Sequence, residues 1–191
     1  MPITYRLAVF FGALTLLVSF SAFGAKPQAL DPALLAKLKQ TIAQADSFED
    51  RFDAEVWLMQ KSSVLKRYVK DDQKRLQLLK EIHKAASRAE VAPELVLAVI
   101  QTESHFNQYA LSSAGAMGMM QIMPFWKNEI GRDADNLIDI KTNLQYGCTI
   151  LKHYLDKAKG DWREALARYN GSYGSSRYSD KVILTWQKDW R

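Results

Sequence analysis

The sequence predicts an all-α fold with, at most, a small β-hairpin. Two observations carry this. Apolar residues recur at helical spacing in one segment after another, and the gaps between segments hold residues that cap or stop helices. No internal repeat and no convincing sheet interrupts the pattern. Of the 191 residues, 48% are apolar, which suits one domain with a genuine core and argues against large-scale disorder.

The N-terminus stands apart. Arg6 is followed by an apolar run from Leu7 to Phe20, then by the small residues Ser21, Ala22, Gly24 and Ala25, and polar sequence resumes at Lys26. Basic, apolar, then small is the order of a secretory signal peptide, here residues 1–24 with cleavage after Gly24, or else after Ala25. The other reading is an uncleaved membrane anchor. No cysteine follows the run to carry a lipid. Removal of residues 1–24 takes away Arg6 and leaves 25 basic against 21 acidic residues, +4, a mild excess that favours an anionic partner without selecting one.

Residues 25–45 form a short helical segment, with Asp31 as N-cap, Pro32 in the first turn and a stripe of Leu34, Leu35, Leu38 and Ile42. Residues 46–191 make up the main helical domain. Phe48, Phe52, Val56, Trp57, Val64, Leu65 and Tyr68 mark a helix over 47–68. Asp71-Asp72 starts the next, carrying Leu76, Leu79, Ile82 and Ala86, and Ala92-Pro93-Glu94 starts another. Residues 109–118, rich in Gly, Ala and Ser, read as a loop with a possible hairpin. A helix is expected from near Met119 to Gly131, a long one over 140–158 ended by Gly160, one capped by Asp161, and a last one bearing Val182, Ile183 and Trp186. The basic tail from Lys181 to Arg191, with Trp186 and Trp190, reads most simply as a closing amphipathic helix. The one cysteine, Cys148, lies in line with Leu144, Leu151 and Leu155, as a small buried hydrophobe would.

Glu103 shares the apolar stripe of its helix with Val96, Val99 and Ile100. A carboxyl group that points where the core points is desolvated. Its pKa rises, and it can donate a proton to a leaving oxygen. The alternative is that the helix ends there and Glu103 turns out to solvent.

The neighbours of Glu103 add to this. Glu103-Ser104 is followed by Gly118-Met119-Met120-Gln121, then by Asn143-Leu-Gln-Tyr-Gly147, then by Ala167-Arg168-Tyr169-Asn170. Over about residues 80–175 the chain resembles the soluble lytic transglycosylase (SLT) domain family, which has a Glu-Ser pair, a Gly-Leu-Met-Gln segment, an Asn-x-x-x-Gly helix and an Ala-x-Tyr-Asn segment in this order. Met119 replaces the usual Leu, and Gly-Ser follows Tyr169-Asn170 where Ala-Gly is usual.

The resemblance implies a lysozyme-like fold with a cleft between helical lobes. It implies that Glu103 is the single catalytic acid/base, with Ser112, Gln121, Tyr169 and Asn170 lining the cleft, Met123 shaping its apolar wall, and Gly115 and Gly118 letting backbone pass close to sugar. It also implies the substrate and product: glycan strands of peptidoglycan, cut between N-acetylmuramic acid and N-acetylglucosamine with closure of a 1,6-anhydro ring. Tyr169 is expected to hydrogen-bond Glu103 or the substrate acetamido group. Tyr109, Trp126, Tyr146 and Tyr173 are candidates to stack on sugars.

No cofactor is implied. His83, His105 and His153 lack ligand spacing with one another or with Cys148, so no metal site is expected. Asp133-Ala-Asp135 lacks the Gly and terminal Glu of a calcium loop. No basic patch points to nucleic acid. Glu129, Asp133, Asp135 and Asp139 are expected at the surface, which leaves no second carboxylate for a lysozyme-type hydrolysis. The protein is expected to be exported to the periplasm of a Gram-negative-type envelope, with no stable membrane insertion after signal cleavage. A goose-type muramidase and a non-catalytic glycan-binding scaffold are the rival readings.

Overall fold

A computed structural model describes residues 51–191, so the expected signal peptide and the 25–45 helix lie outside the described residues. The described chain is helical: α1 (Arg51–Leu65), α2 (Asp72–Arg88), α3 (Pro93–Ser104), α4 (Trp126–Ile130), α5 (Ile140–Lys157), α6 (Trp162–Tyr169) and α7 (Arg177–Thr185), closed by a π-helical turn, Trp186–Trp190. None of these helices is long and apolar enough to cross a membrane.

The starts are set by local chemistry. The side chains of Asp71, Asp139 and Asp161 accept from backbone N–H groups in the first turns of α2, α5 and α6, satisfying donors that a helix start leaves orphaned. Pro93 opens α3, where its missing N–H costs nothing.

α3 is the central helix. Leu95, Val96, Leu97, Ala98, Val99 and Ile100 are all buried. The expected one-sided stripe is therefore a helix covered on every side. It packs against α2, α7 and the closing turn, while α5 packs against α2 and α6. The chain end locks this arrangement. Trp190 is buried, its Nε1 donates to Gln101 Oε1 at 2.7 Å, and its carbonyl accepts from Lys61 Nζ at 2.6 Å. The basic tail is thus a closing element, as its amphipathic pattern suggests.

Two expectations in the middle of the chain change. The hairpin over 109–118 is realised only as isolated antiparallel bridges, Leu111 with Met117 and Met117 with Ile122. The helix expected from Met119 is confined to α4, Trp126–Ile130. The reason is backbone geometry: Gly118 has φ +75° and Gln121 φ +51°, in the left-handed region that a right-handed helix cannot contain.

Cys148 is buried on α5, and burial pushes its thiol up to about 12. Thiolate is the nucleophilic form. The native protein is therefore expected to resist alkylation by iodoacetamide at pH 8 and to react once unfolded, which mass spectrometry reads directly.

Candidate active site

Glu103 sits in the last turn of α3, one residue before the helix ends at Ser104, where His105 takes the left-handed capping conformation (φ +52°). The helix does end here, yet the side chain is not surrendered to solvent: burial raises the Glu103 pKa above its ordinary 4.5. Two groups act in the opposite direction, a hydrogen bond from Tyr178 and the positive charge of Lys181. The Tyr178 hydroxyl donates to Glu103 Oε1 at 2.6 Å, reaching across from α7. The negative end of the α3 dipole adds to desolvation in disfavouring the carboxylate. Glu103 is thereby a carboxylic acid whose proton is held more tightly than usual, gripped by one oriented donor.

Beside it lies a loop held in place by the other three sequence segments. Ser104 Oγ donates to the Met119 carbonyl at 2.8 Å. Tyr169 Oη, at the end of α6, donates to the Met120 carbonyl at 2.9 Å. From α5, buried Asn143 serves three backbone groups. Its Oδ1 accepts from Met120 N at 2.8 Å, and its Nδ2 donates to the carbonyls of Met117 at 2.9 Å and Leu137 at 2.8 Å. Two glycines allow the close approach. A Cβ on Gly118 would lie 2.4 Å from Asn143 Nδ2, and one on Gly147 would lie 2.2 Å from Met120 Sδ. The four segments are thus one physical object: a helix end bearing an acid, and a loop bolted to it by Ser104, Asn143 and Tyr169.

The expected site residues fall as follows. Tyr169 lies within the electrostatic reach of Glu103, but its proton goes to Met120, so the expected Tyr169–Glu103 hydrogen bond is replaced by the one from Tyr178. Gln121 is half-buried in the loop, where its Nε2 donates to the carbonyls of Gly118 at 2.8 Å and Ala110 at 3.3 Å. Ser112 is a turn residue whose Oγ accepts from Ala116 N at 2.9 Å. Met123 is half-buried just after the loop, and Asn170, exposed, caps the end of α6. The close approach at Gly118 is to Asn143 rather than to open space, whereas a Cβ on Gly115 would meet nothing within 4 Å. Among the aromatic candidates, Tyr109 and Tyr173 are exposed, with Arg168 stacked 3.9 Å from the Tyr173 ring. Tyr146 is buried and donates to Asp135 at 2.7 Å, and Trp126 packs edge-on to Tyr154.

Tyr178 is the residue that sequence reasoning missed. It lies four residues before Val182 on the buried side of α7, an aromatic ring with a polar tip, but nothing in the sequence says that this side faces Glu103. Because its hydrogen bond favours the carboxylate, Tyr178→Phe is expected to raise the Glu103 pKa further. The high-pH limb of any activity that needs protonated Glu103 then moves to higher pH. A pH–rate profile checks this, and an unshifted limb would remove Tyr178 from the site.

Of the other acidic candidates, Asp139 caps α5, Asp135 pairs with Arg132 and Tyr146, and Glu129 and Asp133 are exposed. The histidines are dispersed: His83 stands edge-on to Trp57, His105 lies against Tyr68, and His153 against Tyr154.

The family model described as the transglycosylase SLT domain matches residues 80–182, which include every group bolted around Glu103. The chain belongs to the SLT-domain family. Among curated relatives, the transglycosylase of Enterobacteria phage PRD1 is 35% identical over 107 residues, covering 56% of this chain and 39% of that protein. The membrane-bound lytic murein transglycosylase C of Yersinia pestis (strain Pestoides F) is 32% identical over 110 residues, covering 49% of this chain and 31% of that protein. The chain therefore spans well under half the length of these relatives. A solved structure, an inactive mutant of the lytic transglycosylase Slt from Pseudomonas aeruginosa, aligns with TM-score 0.46 and 19% identity over 86% of this chain and 35% of that one.

Proposed function

We propose that this SLT-domain protein is a peptidoglycan lytic transglycosylase that cleaves the β-1,4 bond between N-acetylmuramic acid and N-acetylglucosamine, with Glu103 as its only acid/base. The observation that carries the reading is the desolvated Glu103 carboxyl, held by Tyr178 at 2.6 Å at the half-buried C-terminal end of α3. A raised pKa is what a proton donor at near-neutral pH needs.

In the first step protonated Glu103 gives its proton to the glycosidic oxygen as the bond from that oxygen to C1 of the muramic acid breaks. The substrate acetamido group supports the positive charge at C1, as in substrate-assisted glycosidases. In the second step the carboxylate of Glu103 takes the proton of the muramic acid C6 hydroxyl while that oxygen attacks C1. The 1,6-anhydro ring closes, Glu103 is protonated again, and no water is consumed. The internal nucleophile gains from proximity. No second carboxylate is needed, in keeping with the structural employment of Asp135 and Asp139. Ser112, Gln121, Met123, Tyr169 and Asn170 are proposed to line the sugar path, with Tyr169 acting through the Met120 carbonyl that it fixes. Residues 1–24 are proposed to export the protein to the periplasm, where it takes part in cell-wall remodelling.

The test is mass spectrometry of the products from purified peptidoglycan. Muropeptides ending in 1,6-anhydro-muramic acid support the proposal. Products heavier by one water, as lysozyme-type hydrolysis gives, would make the protein a muramidase instead.

A further inference from the structure

The loop between α6 and α7 carries an aromatic ring that the fold itself does not use. Tyr173 is 65% exposed, and among the described residues its hydroxyl makes no hydrogen bond. A lone exposed ring is ordinary, but this one is held in place. The Arg168 guanidinium lies over one face, 3.9 Å from the ring centroid. Arg168 is itself fixed, its Nε and Nη2 donating to Glu164 Oε1 at 2.8 and 2.6 Å, one turn earlier on α6. The backbone is pinned on both sides of the ring. Ser172 N donates to the Ala167 carbonyl at 2.8 Å, and Ser175 N to the Ser172 carbonyl at 2.9 Å. One face of the ring is occupied, so its exposure belongs to the other face and the rim.

That open face stands near the acid, because both ends of the loop are tied to it. Tyr169, four residues before Tyr173, fixes the Met120 carbonyl and lies within the electrostatic reach of Glu103. Tyr178, five residues after, donates to Glu103 Oε1. Five residues of chain span at most about 18 Å. The chemistry of the face selects its ligand. Arg168 is neutralised by Glu164, so the place offers no free charge to an anion. A flat apolar face of fixed orientation suits a ligand that is apolar on one side and polar at its edge. A pyranose ring is such a ligand, with C–H groups on its face and hydroxyl and acetamido groups at its rim.

We propose that Tyr173, clamped by Arg168 and Glu164, is a stacking platform for a sugar of the glycan strand outside the bond that is cut. The identity of the strand rests on the proposed function. Arg168 and Glu164 touch no sugar and act as positioning residues. A contact made equally in the ground and transition states shows in KM more than in kcat.

The test uses glycan strands freed of their peptides by an amidase. Tyr173→Ala is expected to raise KM for anhydro-product formation about five- to tenfold, with kcat changed less than about twofold. Tyr173→Phe keeps the ring and should stay near wild type. Arg168→Gln keeps the ring but frees it, and should raise KM by an intermediate amount. Calorimetric titration of the same strands into Glu103→Gln protein should weaken in the same order when these substitutions are added. Because Tyr173 is exposed, Tyr173→Ala should leave the melting temperature in place, which separates a lost contact from a lost fold. An unchanged KM for Tyr173→Ala, or a Tyr173→Phe variant as poor as Tyr173→Ala, overturns the proposal. Normal anhydro-product formation with binding that ignores Tyr173 removes only the platform. Glycan binding that depends on Tyr173, without anhydro product from wild type, removes only the catalytic reading.

Discussion

Glu103→Gln is expected to fold and to lose turnover by about 10²- to 10⁴-fold, the usual contribution of a positioned acid/base. The amide keeps the side-chain volume and still offers Tyr178 an acceptor oxygen, but it has no acidic proton to give. The same substitution carries a stability signature of defined sign. The folded-state pKa of Glu103 lies above its ordinary 4.5, so the folded protein holds the proton more tightly than the unfolded chain. The stability contributed by the protonated carboxyl is complete below pH 4.5 and declines as pH rises through the folded value. Above the folded value the wild type carries a desolvated negative charge and the variant does not. Glu103→Gln is therefore expected to gain on wild type in melting temperature as the pH rises through that value, the gap closing as the pH is brought below 4.5. Thermal melts over a pH series read this, and product analysis reads the rate. A folded variant with near-normal turnover would sink the proposed mechanism.

Asn143→Ala is expected to be the most damaging single change to stability in the site. Asn143 is 1% exposed and satisfies Met120 N and the carbonyls of Met117 and Leu137 with one side chain. Truncation leaves these groups unpaired, at roughly 1–3 kcal/mol for each that stays buried, so the expected loss is about 3–5 kcal/mol. Asn143→Asp keeps an acceptor for Met120 N but sets a carboxylate against two carbonyl oxygens, so it is expected to do no better at neutral pH. Chemical denaturation checks both, and a loss under about 1 kcal/mol would mean that the loop is held by other means. Activity should fall with stability in these variants, because the Met117–Gln121 loop is fixed relative to Glu103 through Asn143, Ser104 and Tyr169.

The order of helices was legible from local sequence because its causes are local. Asp71, Asp161 and Pro93 mark starts by satisfying or lacking particular N–H groups. The repeating apolar residues of α1, α2 and α5 report a face that must be covered. Glu103 could be singled out for the same reason, since it follows the apolar run of α3, and the segments around Ser104, Met120, Asn143 and Tyr169 marked it as one part of a larger pattern. The segment after Gly118 was misjudged. Its apolar content resembles a helix, but its path is set by left-handed backbone at Gly118 and Gln121, which is stabilised only once Asn143 of α5 is in place.

The sequence by itself determined the helical class, the helix starts and the buried thiol on α5, and it singled out Glu103 as the candidate acid, because each follows from spacing or from a residue's own chemistry. The tertiary structure alone decided who touches whom. It gave Glu103 its partner in Tyr178, 75 residues away. It turned Tyr169 toward the Met120 carbonyl and made α3 buried on every side. Such contacts depend on how helices cross, and a helix crossing is fixed by packing over its whole length rather than by any local stretch of chain.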